Sequence, residues 1–166
     1  MSKNTNTVVI YDGASRFTGD HIIALLSGLT RDSKNPKTGP MMPIYVIRAD
    51  ICPLAALHNG GDAAGCGNCP NRPTEATRQQ GSTAKGCYVQ VGQAPMRMYN
   101  AYRDGSYRAV DLAEVTRLTA GRRVRLGAYG DMAALPEAVS EALVRDAAGY
   151  TGYTHSWRLP RAKYLK

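Results

Sequence analysis

A chain of 166 residues has room for one hydrophobic core and is short for a two-domain enzyme, so residues 1–166 are read as a single domain. Apolar residues make up 43% and charged residues 20%, which excludes a largely disordered or collagen-like chain. Twenty-one Lys and Arg against 13 Asp and Glu leave a net charge of +8, a surplus suited to an anionic partner such as nucleic acid, a phosphate metabolite or an acidic protein.

In chain order, Val8–Tyr11 is a β-branched run ending at the turn pair Asp12-Gly13, which predicts a short strand. From Gly19 to Leu29, Ile22, Ile23, Leu25, Leu26 and Leu29 recur at the spacings of one helical face, so an amphipathic helix is predicted there. Arg31–Pro40 is polar and rich in breakers, an exposed loop carrying Arg31, Lys34 and Lys37. Ile44–Ile47 reads as a buried strand delivering Arg48, Ala49 and Asp50 at its end, with a short helix starting at Pro53 and running through Leu57. Residues 60–86 are rich in Gly and Pro and poor in large apolar side chains, so this excursion needs a staple other than a core of its own.

Cys87–Val91 reads as strand, Ala94–Tyr107 and Ala109–Leu118 as helices, Arg122–Gly127 as strand, Pro136–Ala148 as helix and Tyr150–His155 as strand. This alternation predicts an α/β fold with a largely parallel sheet. No apolar run approaches the roughly 20 residues of a membrane span, and the polar start Met1–Asn6 lacks the apolar stretch of a signal peptide, so a cytoplasmic protein with no membrane partner is expected.

Four cysteines in a reducing compartment argue for metal or redox chemistry before disulfides. Cys66-Gly67-Asn68-Cys69 is a C-x2-C knuckle whose two thiolates can grip one metal or one cluster edge, with Gly67 and Asn68 tolerating the tight turn between them. A zinc ribbon presents two such knuckles and this chain has one, while Pro70 follows Cys69 as prolines do beside iron–sulfur ligands. The expected metal ligands are Cys66, Cys69 and Cys87, holding an iron–sulfur cluster ([4Fe–4S]) or, as the alternative, zinc; Cys52, just past a strand in an apolar segment, is either the fourth ligand or a packed core residue.

Lys37–Pro40, Arg48-Ala49-Asp50, Cys66–Pro70, Cys87–Pro95, Arg125–Asp131 and Gly152–His155 together resemble a family of bacteriophage proteins with a CxxC…CYV cysteine motif, over about positions 20–157. That family is in turn distantly similar to radical-SAM-type partial barrels. The resemblance implies a partial, incomplete TIM-like barrel or open sheet, with Cys66, Cys69 and Cys87 holding a [4Fe–4S] cluster whose remaining iron is open to SAM. It also implies the cytosol of a phage-infected host. The familiar spacing C-x3-C-x2-C is absent here, and Cys52 as a ligand would close the open iron.

Functional groups of parallel α/β sheets gather at the carboxyl ends of strands, which nominates Asp50, Gln93, Gly127, Gly130, Asp131 and His155 as ligand-binding candidates. Asp131 also suits the start of a helix as a cap. No dinucleotide fingerprint, Walker loop, G-x-S-x-G or H-E-x-x-H occurs, and no residue is assigned a catalytic role. Residues 158–166 form a basic tail in which Arg158, Arg161, Lys163 and Lys166 accompany Tyr164 and follow Trp157, a pattern that suits nucleic acid. Three functions are consistent with these features. They are an accessory protein folded around a structural or redox cluster, a radical-SAM-like enzyme with an open cluster iron, and a zinc-stabilised nucleic-acid binder.

Overall fold

The computed structural model describes residues 5–33, 36–81 and 86–159. Lys34 and the tail residues Arg161, Lys163, Tyr164 and Lys166 lie outside them. The expected Val8–Tyr11 strand is β1 (Thr7–Ala14), longer than its β-branched run. It turns through Ser15–Asp20 into β2 (His21–Ser27), which pairs antiparallel with it from Thr7↔Ser27 to Ala14↔His21. The helix expected over Gly19–Leu29 is therefore a strand. Ile22, Ile23, Ala24, Leu25 and Leu26 are all wholly buried. A strand covered on both faces reads as a continuous apolar run, and such a run satisfies helical spacing by accident.

β3 (Met42–Arg48) returns antiparallel to β2, with Ile22 opposite Arg48 and Leu26 opposite Ile44. β5 (Arg123–Tyr129) and β6 (Gly149–Gly152) extend the sheet in parallel beyond β3, while the two-residue β4 (Arg108–Ala109) pairs parallel with β1 at the other edge. The order is β4-β1-β2-β3-β5-β6. Only β2 runs against the rest, so this α/β sheet is mostly parallel, and it is open, with β4 and β6 as its edges.

Both faces are covered. On one, α5 (Leu112–Thr119), α6 (Glu137–Val144) and a 3₁₀ turn over Met132–Ala134 pack Val115, Val139, Leu143 and Met132 against Val8, Ile22, Ile44, Val124 and Leu126. On the other, α1 (Pro53–Asn59) and α4 (Ala94–Arg103) bring Leu57, Met98 and Tyr99 against Val9, Ile23, Leu25 and Ile47. The expected strand at Cys87–Val91 has no regular structure. Its apolar side chains Val89 and Val91 instead cover this second face, which explains their strand-like pattern without any pairing. α5 starts later than expected because Asp111 caps it, accepting from Glu114 N at 2.7 Å, and α4 ends at Arg103. Within 60–86 lie two short helices, α2 (Ala63–Cys66) and α3 (Glu75–Gln79). Among the described residues no helix is long and apolar enough to cross a membrane.

β5 departs from regular pairing where it matters most. Pro43 faces Arg125 but Tyr45 faces Tyr129, so β5 bulges at Leu126–Ala128, with Gly127 at a φ of +63°. Just beyond, Gly130 has a φ of +82°, and a Cβ there would lie 2.6 Å from the Val46 carbonyl oxygen and 3.2 Å from that of Gly65. Gly130→Ala combines left-handed strain with overpacking and is expected to lower unfolding free energy by about 2–5 kcal/mol in urea titration. Gly105→Ala has a similar φ of +67° but meets nothing within 4 Å, so it is expected to cost about 1 kcal/mol.

Candidate functional site

The absence of a side chain at Gly130 lets α2 lie directly across the carboxyl ends of β3 and β5. Asp131 N donates to Gly65 O at 2.6 Å, and the buried Ser15 Oγ donates to Ala64 O at 2.6 Å. A Cβ on Gly65 would itself meet Val46 O at 2.9 Å. The helix is thus wedged in place, and Cys66 at its last turn is fixed at the strand ends. The chain turns at once: Gly67 N donates to Ala63 O, Gly67 takes a φ of +57°, and Cys69 N donates to Cys66 O at 3.3 Å.

Arg72 secures this turn from behind. Its guanidinium donates to both oxygens of Asp62 at 2.8 and 2.7 Å, to Gly67 O at 2.8 Å and to Gly60 O at 2.9 Å. The Asp62 side chain is 1% exposed, so the pair is buried and its hydrogen bonds offset desolvation. Asn71 O then accepts from Cys87 N at 3.1 Å, tying the last cysteine to the same turn. Within its described residues the Gly-rich excursion is tied down by the α2 wedge and the Arg72–Asp62 pair, protein contacts that stand beside the metal staple its composition suggested. Nothing in the spacing of Asp62 and Arg72 announces that they meet.

Cys66, Cys69 and Cys87 line one cavity of about 290 Å³. Gly127, Gly130, Asp131 and His155 line it too, with Tyr88, Tyr129 and Tyr153. Cys52 does not reach it. That residue sits half-buried at the position before α1, so the four-cysteine grouping is not assembled. Asp50 is also elsewhere, gripped by Arg48 through two contacts of 2.7 and 2.6 Å, and this guanidinium holds its carboxyl below the usual carboxylate range. Gln93 is exposed just before α4 and lines no part of the cavity.

Asp131 acts as a tie. One oxygen accepts from Ala133 N at 2.9 Å, capping the 3₁₀ turn, and the other accepts from Thr154 Oγ1 at 2.8 Å and His155 N at 3.2 Å. Its lone pairs are spent holding the cavity wall together, which leaves the ligand-facing surface to backbone, thiols and tyrosines.

None of the four cysteines is in a disulfide. Burial pushes the Cys66 thiol far up, with Asp62 and then Cys69 adding to the rise and Arg72 opposing it. Burial also raises Cys69, against a backbone hydrogen bond from Asn71. Tyr129 beside them is likewise raised by burial. Without a metal these groups are neutral, and ligation would release their protons. Among the described residues no three His, Cys, Asp or Glu side chains surround a single metal-ion position.

No family model, curated protein or solved structure is matched by this chain. Its site is defined by its own geometry.

Arg72→Leu would leave Asp62 buried without a counter-charge, and is expected to cost about 3–5 kcal/mol in denaturant unfolding. It should also speed labelling of Cys66 by a thiol reagent. The double variant Asp62→Asn/Arg72→Leu should recover part of the loss, and equal losses in single and double variants would show that the two side chains act independently.

Proposed function

We propose that Cys66, Cys69 and Cys87 hold a [4Fe–4S] cluster, that Cys52 is outside the ligand set, and that the iron left without a thiolate faces the cavity as the site of a radical-SAM-like activity. The observation that carries this reading is that three cysteines, Cys66 and Cys69 of one turn and Cys87 from further along the chain, line one roomy cavity while the remaining cysteine does not. A single zinc would need its thiolate ligands at about 2.3 Å from one point, hence sulfurs about 4 Å apart. No such closed grouping is present among the described residues. A cubane takes its thiolates on different irons, so it does not require all three sulfurs to reach one point. The half-buried Arg72 guanidinium opposes the rise in both the Cys66 and Cys69 thiol pKa values and would offset the negative charge of a thiolate-held cluster.

When bound, the cluster supplies one-electron chemistry at its open iron. The protein's own part is to shape the space in front of it. Gly127 and Gly130 bring bare backbone to the wall, Asp131 fixes the segment carrying His155, and Tyr88, Tyr129 and Tyr153 surround the remainder. SAM is the ligand that the radical-SAM likeness implies for this space. An incomplete TIM-like barrel is part of the same proposal, and its support is the site's position at the carboxyl ends of the parallel strands β3 and β5. Four cysteines without a disulfide suit a reducing compartment such as the cytoplasm.

Anaerobically purified or reconstituted protein is expected to be brown, with about four irons per chain. Cys66→Ala, Cys69→Ala and Cys87→Ala should each abolish iron retention, while Cys52→Ala should leave it unchanged. Colourless protein holding one zinc per chain, or iron lost with Cys52, would overturn the assignment. An intact cluster whose reduced form fails to cleave SAM would leave the accessory role, structural or redox, in place of the enzyme.

A further inference from the structure

The cavity opens onto a surface that the cluster does not explain. Tyr153 is 83% exposed and Tyr88 is 69% exposed, yet both line the cavity, so two aromatic rings stand in solvent at its mouth. Arg125 donates to Tyr88 OH at 2.7 Å and shares its face of the sheet with Thr151, its register partner on β6. Since Val124 and Leu126 point into the opposite core, alternation sends Arg123 to the same side as Arg125. Arg97 on α4 and Arg125 both lie near enough to the Tyr45 phenol to oppose the rise that burial imposes on it. Arg97, Arg123 and Arg125 form no ion pair with a carboxylate among the described residues, in contrast to Arg48, Arg72, Arg78, Arg108 and Arg122.

The strip continues past the mouth. His155 lines the cysteine cavity and also a neighbouring space of about 390 Å³, whose far wall includes Arg158. The Arg158 guanidinium sits 4.8 Å over the ring of Trp157, which is 53% exposed. Among the described residues Asp131 is the one carboxylate lining either space, and its oxygens are already engaged. Arginines and solvent-facing rings therefore recur from α4 and β5, past the cavity mouth, to Trp157 and Arg158.

We infer that this strip binds single-stranded nucleic acid, with Arg97, Arg123 and Arg125 on its phosphates and a base stacked on Tyr153 or Tyr88 at the cavity mouth. Charge alone would accept an acidic polypeptide. The exposed rings favour a strand whose bases have free π-faces, which a duplex does not present, and the net charge of +8 favours a polyanion. The inference needs the rings and arginines and not the thiolates, so it stands or falls separately from the cluster. Beside the proposed activity, it names the class of substrate: a base in an unpaired strand, brought to the site by its backbone.

The test is fluorescence anisotropy of the full-length protein with a labelled short oligothymidylate across a salt series, with iron content measured on the same samples. Binding is expected whether or not iron is present. Tyr153→Ala, at a site too exposed to affect folding, should weaken binding about tenfold without changing the salt dependence. Arg123→Ala/Arg125→Ala should reduce the slope of log affinity against log salt by about 1.4, some 0.7 per lost phosphate contact. Arg123→Ala alone should show half of this if the double variant is unstable. No binding, equal or tighter binding of the matched duplex, indifference to Tyr153→Ala, or a polyglutamate peptide bound as tightly would each overturn the inference. A loss on Arg158→Ala with none on Arg123→Ala/Arg125→Ala would move binding to the basic tail and overturn it as well.

Discussion

At Gly130 three stretches of backbone come within contact distance: the end of β3 at Val46, the end of β5, and the short helix α2 at Gly65. A side chain at this point would hold them apart. Because there is none, α2 lies against the sheet and Cys66 sits beside Tyr129 instead of in solvent. The bulge in β5 serves the same end, since the extra residues around Gly127 lift the wall that the thiols face. The placing of Cys66 against the sheet thus follows from packing at one glycine.

The second constraint is electrostatic. Asp62 is a charge taken almost wholly out of water, and it is tolerated because Arg72 meets both its oxygens while also binding two carbonyls of the loop. One guanidinium closes the loop and faces the cysteines at the same time. A segment without large apolar side chains can be ordered this way, through hydrogen bonds that a sparse core could not replace.

Much of the architecture was legible in the sequence, and the failures have physical causes. The strands around Val8–Tyr11 and Ile44–Ile47 announced themselves through β-branched runs ended by turn residues. β2 did not, because burial on both faces erases the alternation that separates strand from helix. Val89 and Val91 show the converse, a strand-like pattern made by a segment that covers a sheet without joining it. In the site, spacing and loop composition nominated the C-x2-C knuckle and Cys87, and strand ends nominated Gly127, Gly130, Asp131 and His155, residues that line one cavity. The same rule misplaced Asp50, since a strand end fixes the level of a residue in the fold but not which neighbour takes its side chain, and Arg48 takes this one. Arg72 was invisible because its role depends on a partner whose approach only the folded loop creates.

The one strand that runs against its neighbours has a further consequence for how the chain assembles. β1, β2 and β3 pair in succession across connections far shorter than the one that leads to β5, so closing them demands less loop entropy. β5 joins β3 only after the whole cysteine segment, α4 and α5 have been accommodated between them. Topology therefore divides the molecule into a meander that is cheap to nucleate and a distant closing strand, and the thiol-bearing wall belongs to the part whose ordering requires the longest reach along the polypeptide.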